Sequence, residues 1–203
     1  MNVFNHLVIS IRIKNAIEGQ LPVKLKTFSF MYGSIKPDIS KEFNNIPHYR
    51  NASHEYLDDE IKNILLSDNP IFRECSSDFS QRLGVLTHYL SDFFCFAHSE
   101  KFSGGIIKHS IYEMKLMAYC AVKFRKVYCP KNYRSLSSEQ NSTEICEFID
   151  ELHDEYSDAV RKPSVADDMT FTHEACIALC LSILSSCIAE EHSEKLKLAE
   201  VIV

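Results

Sequence analysis

No stretch of this 203-residue chain alternates apolar and polar residues convincingly with the period of two that a half-buried strand requires, so the whole reads as all-α. Glycine and proline are scarce, five and six residues, and no linker, low-complexity tract or internal repeat interrupts the chain. The length suits one domain with a substantial core and is short for two. Positive charge is not in excess. A net charge of -6 gives no footing for a binder of long nucleic acid, whose phosphates need a basic surface. It leaves room for an enzyme whose bound metals supply positive charge locally. No Cys-x2-Cys occurs among the eight cysteines, and Cys176-x3-Cys180 lies in an apolar helical stretch that runs on to Cys187. These residues read as small hydrophobic filler with reduced thiols, not as zinc-knuckle ligands. The segment Met1 to His6 lacks the basic start, apolar run and cleavage site of a signal peptide, so a cytoplasmic location is expected, with secretion still open. The most apolar stretch, Cys176 to Ala189, is broken by serines and looks too short to span a bilayer; a buried helix is expected.

What is present is helical periodicity. Leu7, Val8, Ile11 and Ile13 mark an amphipathic helix from Phe4 to about Ile17, with His6 in its first turn. From Gln20 to Arg50 the pattern breaks, and Met31 to Ile39 reads as a helix end running into a loop. Ser53 is the expected N-cap of the next helix, with Tyr56, Leu57, Ile61, Ile64 and Leu65 inward, and His54, Asp58, Asp59 and Glu60 on its solvated face until Pro70. A helix opened by Ser77 or Asp78 is predicted to reach about Ala97, and another to run from Ile106 to Val127 after the Gly104-Gly105 break. Pro130 and the serines from Ser135 to Ser138 mark a connection. Helices from about Thr143 to Val160 and from about Asp167 to Glu190 follow, separated by Pro163. In the first of these, periodicity turns His153 and Asp154 toward solvent. His173-Glu174 lacks the second histidine of a His-Glu-x-x-His motif, position 177 being isoleucine.

Chemistry concentrates between Leu83 and Glu113. His88 and Asp92 are four residues apart, as are His109 and Glu113, and His98 follows Asp92 by six. Residues four apart share one helix face, so each pair can aim at one metal ion. Each pair sits in an otherwise apolar segment, where an ionisable group needs a partner to offset its desolvation. Two such helices facing each other make a metal pocket in a bundle.

The ordered set His6, Asp38, His48, His88, Asp92, His98, His109, Glu113 resembles the zinc-dependent phospholipase C family, which includes the bacterial phospholipases C and shares its fold with the zinc single-strand nucleases. The matching stretches are Phe30 to Asp38, Pro47-His48, Leu83 to His98, and His109 to Glu113. The resemblance implies one phospholipase C-like domain over 1–203, with the metal-site part in 1–115 and the helices of 138–203 completing the bundle. It implies two or three zinc ions. Asp38, His48, His88 and Asp92 would serve one; His98, His109 and Glu113 a second, with Asp38 able to approach it; His6 and Asp92 a third. Zinc held by imidazole and carboxylate lowers the pKa of bound water to roughly 7. The expected activity is phosphodiester hydrolysis by direct attack of water on phosphorus, with Asp38 as base or water-orienting carboxylate. A nuclease or nucleotidase, or a non-catalytic zinc-binding helical protein, are the alternatives. The substrate would be a phospholipid or another phosphodiester; the oligomeric state is not legible.

The chain departs from the family at three places. It has no tryptophan, whereas the secreted enzymes begin with one whose terminal amine binds the third zinc, so a two-zinc site or a weak third is expected unless the chain end folds in. Ile39 and Asn45 stand where choline-binding members carry aromatics, which argues against a choline lipid. No membrane-docking domain follows. Tyr32, Tyr49, Tyr89 and Phe93 are weak candidates to line the cleft, ordinary packing being the favoured reading.

Overall fold

The computed structural model describes residues 1–67, 74–122, 140–159 and 164–201, with side chains as far as 189. Among them lie eight α-helices: α1 (Val3–Gln20), α2 (Thr27–Gly33), α3 (Lys36–Ile39), α4 (Arg50–Leu65), α5 (Ser77–Phe93), α6 (Ile106–Val122), α7 (Ser142–Ala159) and α8 (Val165–Val201). Two 3-10 turns, Lys41–Phe43 and Phe96–His98, complete the order, and among the described residues the single β-type pairing is an isolated bridge between Lys24 and Glu74. The all-α expectation is met.

At the centre stands α5. Ser76 caps it by accepting from the Phe79 amide, and every residue from Leu83 to Phe93 is buried. A helix apolar on all sides must be covered on all sides, and α1, α2, α3, α4 and α8 all pack against it. The closest approach is to α2. A Cβ at Gly33 would fall on the Gln81 carbonyl, and one at Gly84 on the Phe30 carbonyl. Glycine at both positions lets the two backbones touch, which brings the Ser34 carbonyl beside His88.

Several boundaries differ from the periodicity reading. The α1 helix presents Asn5, His6, Ile9, Ser10, Ile13 and Ile17 inward and leaves Ile11 exposed. Of the expected stripe Ile13 is buried, Leu7 and Val8 are partly buried and Ile11 is exposed, and the polar Asn5, His6 and Ser10 share the inward face. The helix end expected between Met31 and Ile39 is that of α2 at Gly33, but the loop expected after it is in part the short α3, which carries Asp38. The α4 helix begins at Arg50, not at Ser53, whose hydroxyl instead donates to the Tyr49 carbonyl within the first turn. The α5 helix stops at Phe93, and His98 belongs to a separate 3-10 turn.

Of the expected solvated face of α4, Asp59 is exposed and His54, Asp58 and Glu60 are partly buried. Arg82 donates to Glu60 at 2.6 Å, and His54 and Arg50 engage Asp150 of α7 at 3.2 Å and 2.5 Å. His153 is also turned inward, its ring 5.5 Å from that of Phe94. The last helix is longer than its apolar core: it runs to Val201, and Val165–Ala189 is long and apolar enough by composition to cross a bilayer. Most of that segment is covered by α1, α4, α5, α6 and α7, as a core helix would be. Seven cysteines are free thiols, six of them buried, consistent with filler. Cys129, Pro70, Pro130, Ser135 to Ser138, Pro163 and the expected end of α6 at Val127 lie outside the described residues.

Candidate metal centre

The eight ligand-type residues come from six places in the chain: His6 on α1, Asp38 on α3, His48 on the loop before α4, His88 and Asp92 on α5, His98 on the 3-10 turn, and His109 and Glu113 on α6. The fold gathers all of them along one cleft. They fall into three groups whose donor atoms lie within 4.8 Å of one another: His6, His88 and Asp92; Asp38, His48 and His88; His98, His109 and Glu113. His88 is common to the first two. Asp92 links the groups, its carboxylate lying 3.6 Å from His6, 2.9 Å from His48, 3.6 Å from His88 and 3.8 Å from His98.

The two helical pairs behave as their spacing requires. His88 Nε2 faces Asp92 Oδ2, and His109 Nε2 lies 3.1 Å from Glu113 Oε1. Glu113 also lies 3.5 Å from His98 Nε2. Asp38 stands 3.8 Å from His88, 3.9 Å from His6 and 4.0 Å from His48, too far for hydrogen bonds.

Each buried histidine is oriented through its other ring nitrogen. A carbonyl can only accept, so the Ser34 carbonyl 2.9 Å from His88 Nδ1 puts the proton there and leaves the Nε2 lone pair facing the cleft. Ser91 donates its own hydroxyl to the His88 carbonyl and accepts from His6 Nδ1 at 3.0 Å, again freeing Nε2. His98 Nδ1 is held by the His48 carbonyl at 3.3 Å. His6 Nε2 is then buried without any hydrogen-bond partner. A buried, aimed and unsatisfied lone pair is what a metal ligand looks like without its ion.

The electrostatics agree. Burial holds His6 far below its ordinary pKa and His88 down to about 3, so both are neutral imidazoles, the form that coordinates. Burial would raise Asp92, yet the Met1 ammonium, His98, His6 and His48 together keep it well below the carboxylate range. Burial and the Asp92 charge push Asp38 up to about 6. Burial opposes charging of His48, but its hydrogen bond to Asp92 prevails and raises it. Zn–N and Zn–O bonds of ~2.0–2.1 Å place tetrahedral ligands roughly 3.3 Å apart. The separations of 3.5–3.6 Å between His6 and Asp92, His88 and Asp92, and His98 and Glu113 suit such a donor set.

The chain end folds in. The Met1 amine contacts Asp92 and lies 2.9 Å from His98 Nε2 and 3.6 Å from Glu113. His88, whose ring stacks on that of His6 at 4.0 Å, joins His6 and Asp92, so that group is not left with two side chains as expected. Asp38 falls with His48 and His88, not with the α6 group. Of the aromatics, Tyr89 is fully buried against His88 and His48, and Tyr32 is half exposed. Tyr49 and Phe93 line a cavity beside His98.

One residue that periodicity missed is Asp168. It is fully buried in the first turn of α8 and accepts from the Phe96 amide at 2.8 Å, the Tyr112 hydroxyl at 2.9 Å and the Tyr156 hydroxyl at 2.8 Å. It thereby ties the His98 turn to the helix of His109 and Glu113. In the sequence, Asp167-Asp168 is an ordinary acidic helix start, and nothing there separates the exposed first from the buried second. A comparison with protein-family models matches residues 5–162, more than half of the chain, to the zinc dependent phospholipase C model. No curated protein and no solved structure matches.

Proposed function

Because the chain belongs to the zinc-dependent phospholipase C family, we propose that it is a phosphodiester hydrolase of the phospholipase C type, with two or three zinc ions on the three residue groups. His6, Asp38, His48, His88, Asp92, His98, His109 and Glu113 are the proposed ligands. The observation that carries the reading is the unsatisfied, buried Nε2 of His6, whose Nδ1, like those of His88 and His98, is committed to a protein acceptor. Zinc in such a site supplies Lewis acidity toward a phosphoryl oxygen and acidifies water to a pKa of roughly 7.

The chain's own part is to orient and to move one proton. Asp38 is partly exposed and hydrogen-bonds none of its histidine neighbours, so its carboxylate is available to the reacting water. Burial and the Asp92 charge raise the Asp38 carboxyl to about 6 in the metal-free protein, and an ionised carboxylate in that position can take a proton from water. A water oxygen bonds to phosphorus, its proton goes to Asp38, and the ester P–O bond opens toward the leaving alcohol, which takes up a proton. The eight converging donors exceed what a closed four-ligand structural site needs, which favours catalysis over a purely structural zinc.

Asp38→Asn provides the test, with bis(p-nitrophenyl) phosphate as substrate and metal content and melting temperature measured alongside. The expected result is loss of turnover by about a hundredfold or more, with the melting temperature close to wild type and most of the metal retained, since an asparagine amide oxygen at that position can still serve as a ligand while it cannot take a proton. Parallel loss of metal would reduce Asp38 to a ligand. Chelation that unfolds a wild-type protein without turnover on any phosphodiester would favour the structural reading, and turnover confined to single-stranded DNA the nuclease one.

A further inference from the structure

Helix α6 carries its apolar surface on the wrong side for a core helix. Its only buried residues are Leu116 and Cys120, and that narrow side packs on α1, α8 and the 3-10 turn of His98. Ile106 and Ile107 are 87% and 77% exposed, and Ile111, Met114, Met117 and Val122 also face solvent. Helical periodicity puts Ile107, Ile111, Met114, Ala118 and Val122 in one arc, bordered by Ile106 and Met117 on the side of the metal cleft. An apolar stripe belongs against a core, and a contiguous one left in water marks a contact surface.

Charge says what meets it. Lys108 and Lys115 are both exposed and stand along the other edge of the arc. With Ile111, Phe102, Tyr119 and Val165 they also line an open, mostly apolar groove of about 630 Å³. The one acid of α6, Glu113, is turned to His98 and His109 in the cleft. From Lys101 to Arg134 the sequence carries eight lysines and arginines and a single acid, in a chain of net charge -6. The partner is therefore apolar and anionic at once. A nucleic acid would neutralise the lysines but leave the aliphatic side chains in water. A second copy across a two-fold axis perpendicular to the helix would set lysine edge against lysine edge. A bilayer with acidic headgroups satisfies both, since an amphipathic helix lies in its interface with apolar side chains at the acyl boundary and cations at the phosphates. We propose that the outward face of α6 is a docking surface for an anionic lipid bilayer, with the mouth of the metal cleft along its edge. None of its residues is a proposed ligand, and docking requires no hydrolysis.

Co-sedimentation of the zinc-loaded protein with vesicles of equal parts phosphatidylglycerol and phosphatidylcholine, against phosphatidylcholine alone, tests this. Wild type should bind the mixed vesicles and be released as salt is raised. Ile107→Gln with Met114→Gln should weaken that binding by about tenfold or more. Lys108→Gln with Lys115→Gln should do the same. Both double variants should keep the wild-type melting temperature, because all four side chains are exposed. Equal binding to both kinds of vesicle, equal binding by wild type and the Ile107→Gln, Met114→Gln variant, or none at all would overturn the surface. So would dimers in sedimentation velocity that this variant dissolves, or retention on single-stranded DNA, if vesicles are not bound. No readout needs turnover. Vesicle binding by a protein inactive on every phosphodiester would sustain the surface and remove the hydrolase reading, and efficient hydrolysis without vesicle binding would do the reverse.

Discussion

The two ends of the cleft are built differently. At the α5 end, His6, His88 and Asp92 are at most 1% exposed, and their geometry comes from helices locked together by glycine contacts and by hydrogen bonds to Ser34 and Ser91. At the α6 end, His98, His109 and Glu113 are 9%, 28% and 17% exposed, and they sit on a short turn and the first two turns of a helix. Desolvation therefore falls almost wholly on one side. Buried charge and buried lone pairs without a counter-ion are costly, so an ion bound at the α5 end would be coupled to folding. An ion bound at the α6 end would be coupled mainly to the proposed chemistry, where access for water and substrate matters more than rigidity.

The largest effect should come from Asp92→Ala. Asp92 faces the Met1 ammonium and four histidines with no exposure of its own. Removing one member of a buried charged set costs about 3–5 kcal/mol because the others are left uncompensated. Urea unfolding of the zinc-loaded protein should show a loss of that size, together with loss of metal and of turnover. A variant as stable as wild type would erase the contrast between the two ends.

A smaller effect tests what holds the α6 end. Burial pushes the Asp168 carboxyl from its ordinary 3.8 to about 6 despite its three donors. An acid whose pKa is raised by folding binds its proton more tightly in the native state, so its contribution to stability grows as pH falls from about 6 toward 4. The difference in unfolding free energy between wild type and Asp168→Asn should accordingly shift in favour of wild type by roughly 2 kcal/mol between pH 7 and pH 4. The α5 end responds the other way, since neutral His6 and His88 and ionised Asp92 all resist acid. A pH-independent difference would mean that Asp168 is ionised throughout and acts only through its hydrogen bonds.

How much of this was readable beforehand follows the same division. The i, i+4 pairs on α5 and α6 were legible because helix geometry alone makes them neighbours. Asp38, His48 and His98 were assigned through the family resemblance and not from local pattern. A residue on a four-residue helix, one on a loop and one on a 3-10 turn carry no periodic signal. His6 carried no periodic signal either: on α1 it shares the buried face with Asn5 and Ser10 as well as Ile9, Ile13 and Ile17, and only the resemblance singled it out. Asp168 and His153 were missed for a related reason: the partners that bury them lie far away in the chain. Functional sites are where local and global preferences part company.

The smallest effect on stability, and the sharpest discriminator, should be His109→Ala. Its ring is partly exposed, meets Glu113 on its own helix and His98 across the cleft at 4.9 Å between centroids, and buries little that the fold depends on. Substitutions of that kind usually move stability by no more than about 0.5 kcal/mol. Yet it removes one of the three donors of the α6 group. Metal analysis should therefore show that group's ion lost while the ions of the α5 end stay, and turnover of bis(p-nitrophenyl) phosphate should fall by about a hundredfold. If instead the melting temperature falls as far as for Asp92→Ala, the α6 end is as much a structural clamp as the α5 end. The division of labour between fold and chemistry would then not run along the cleft.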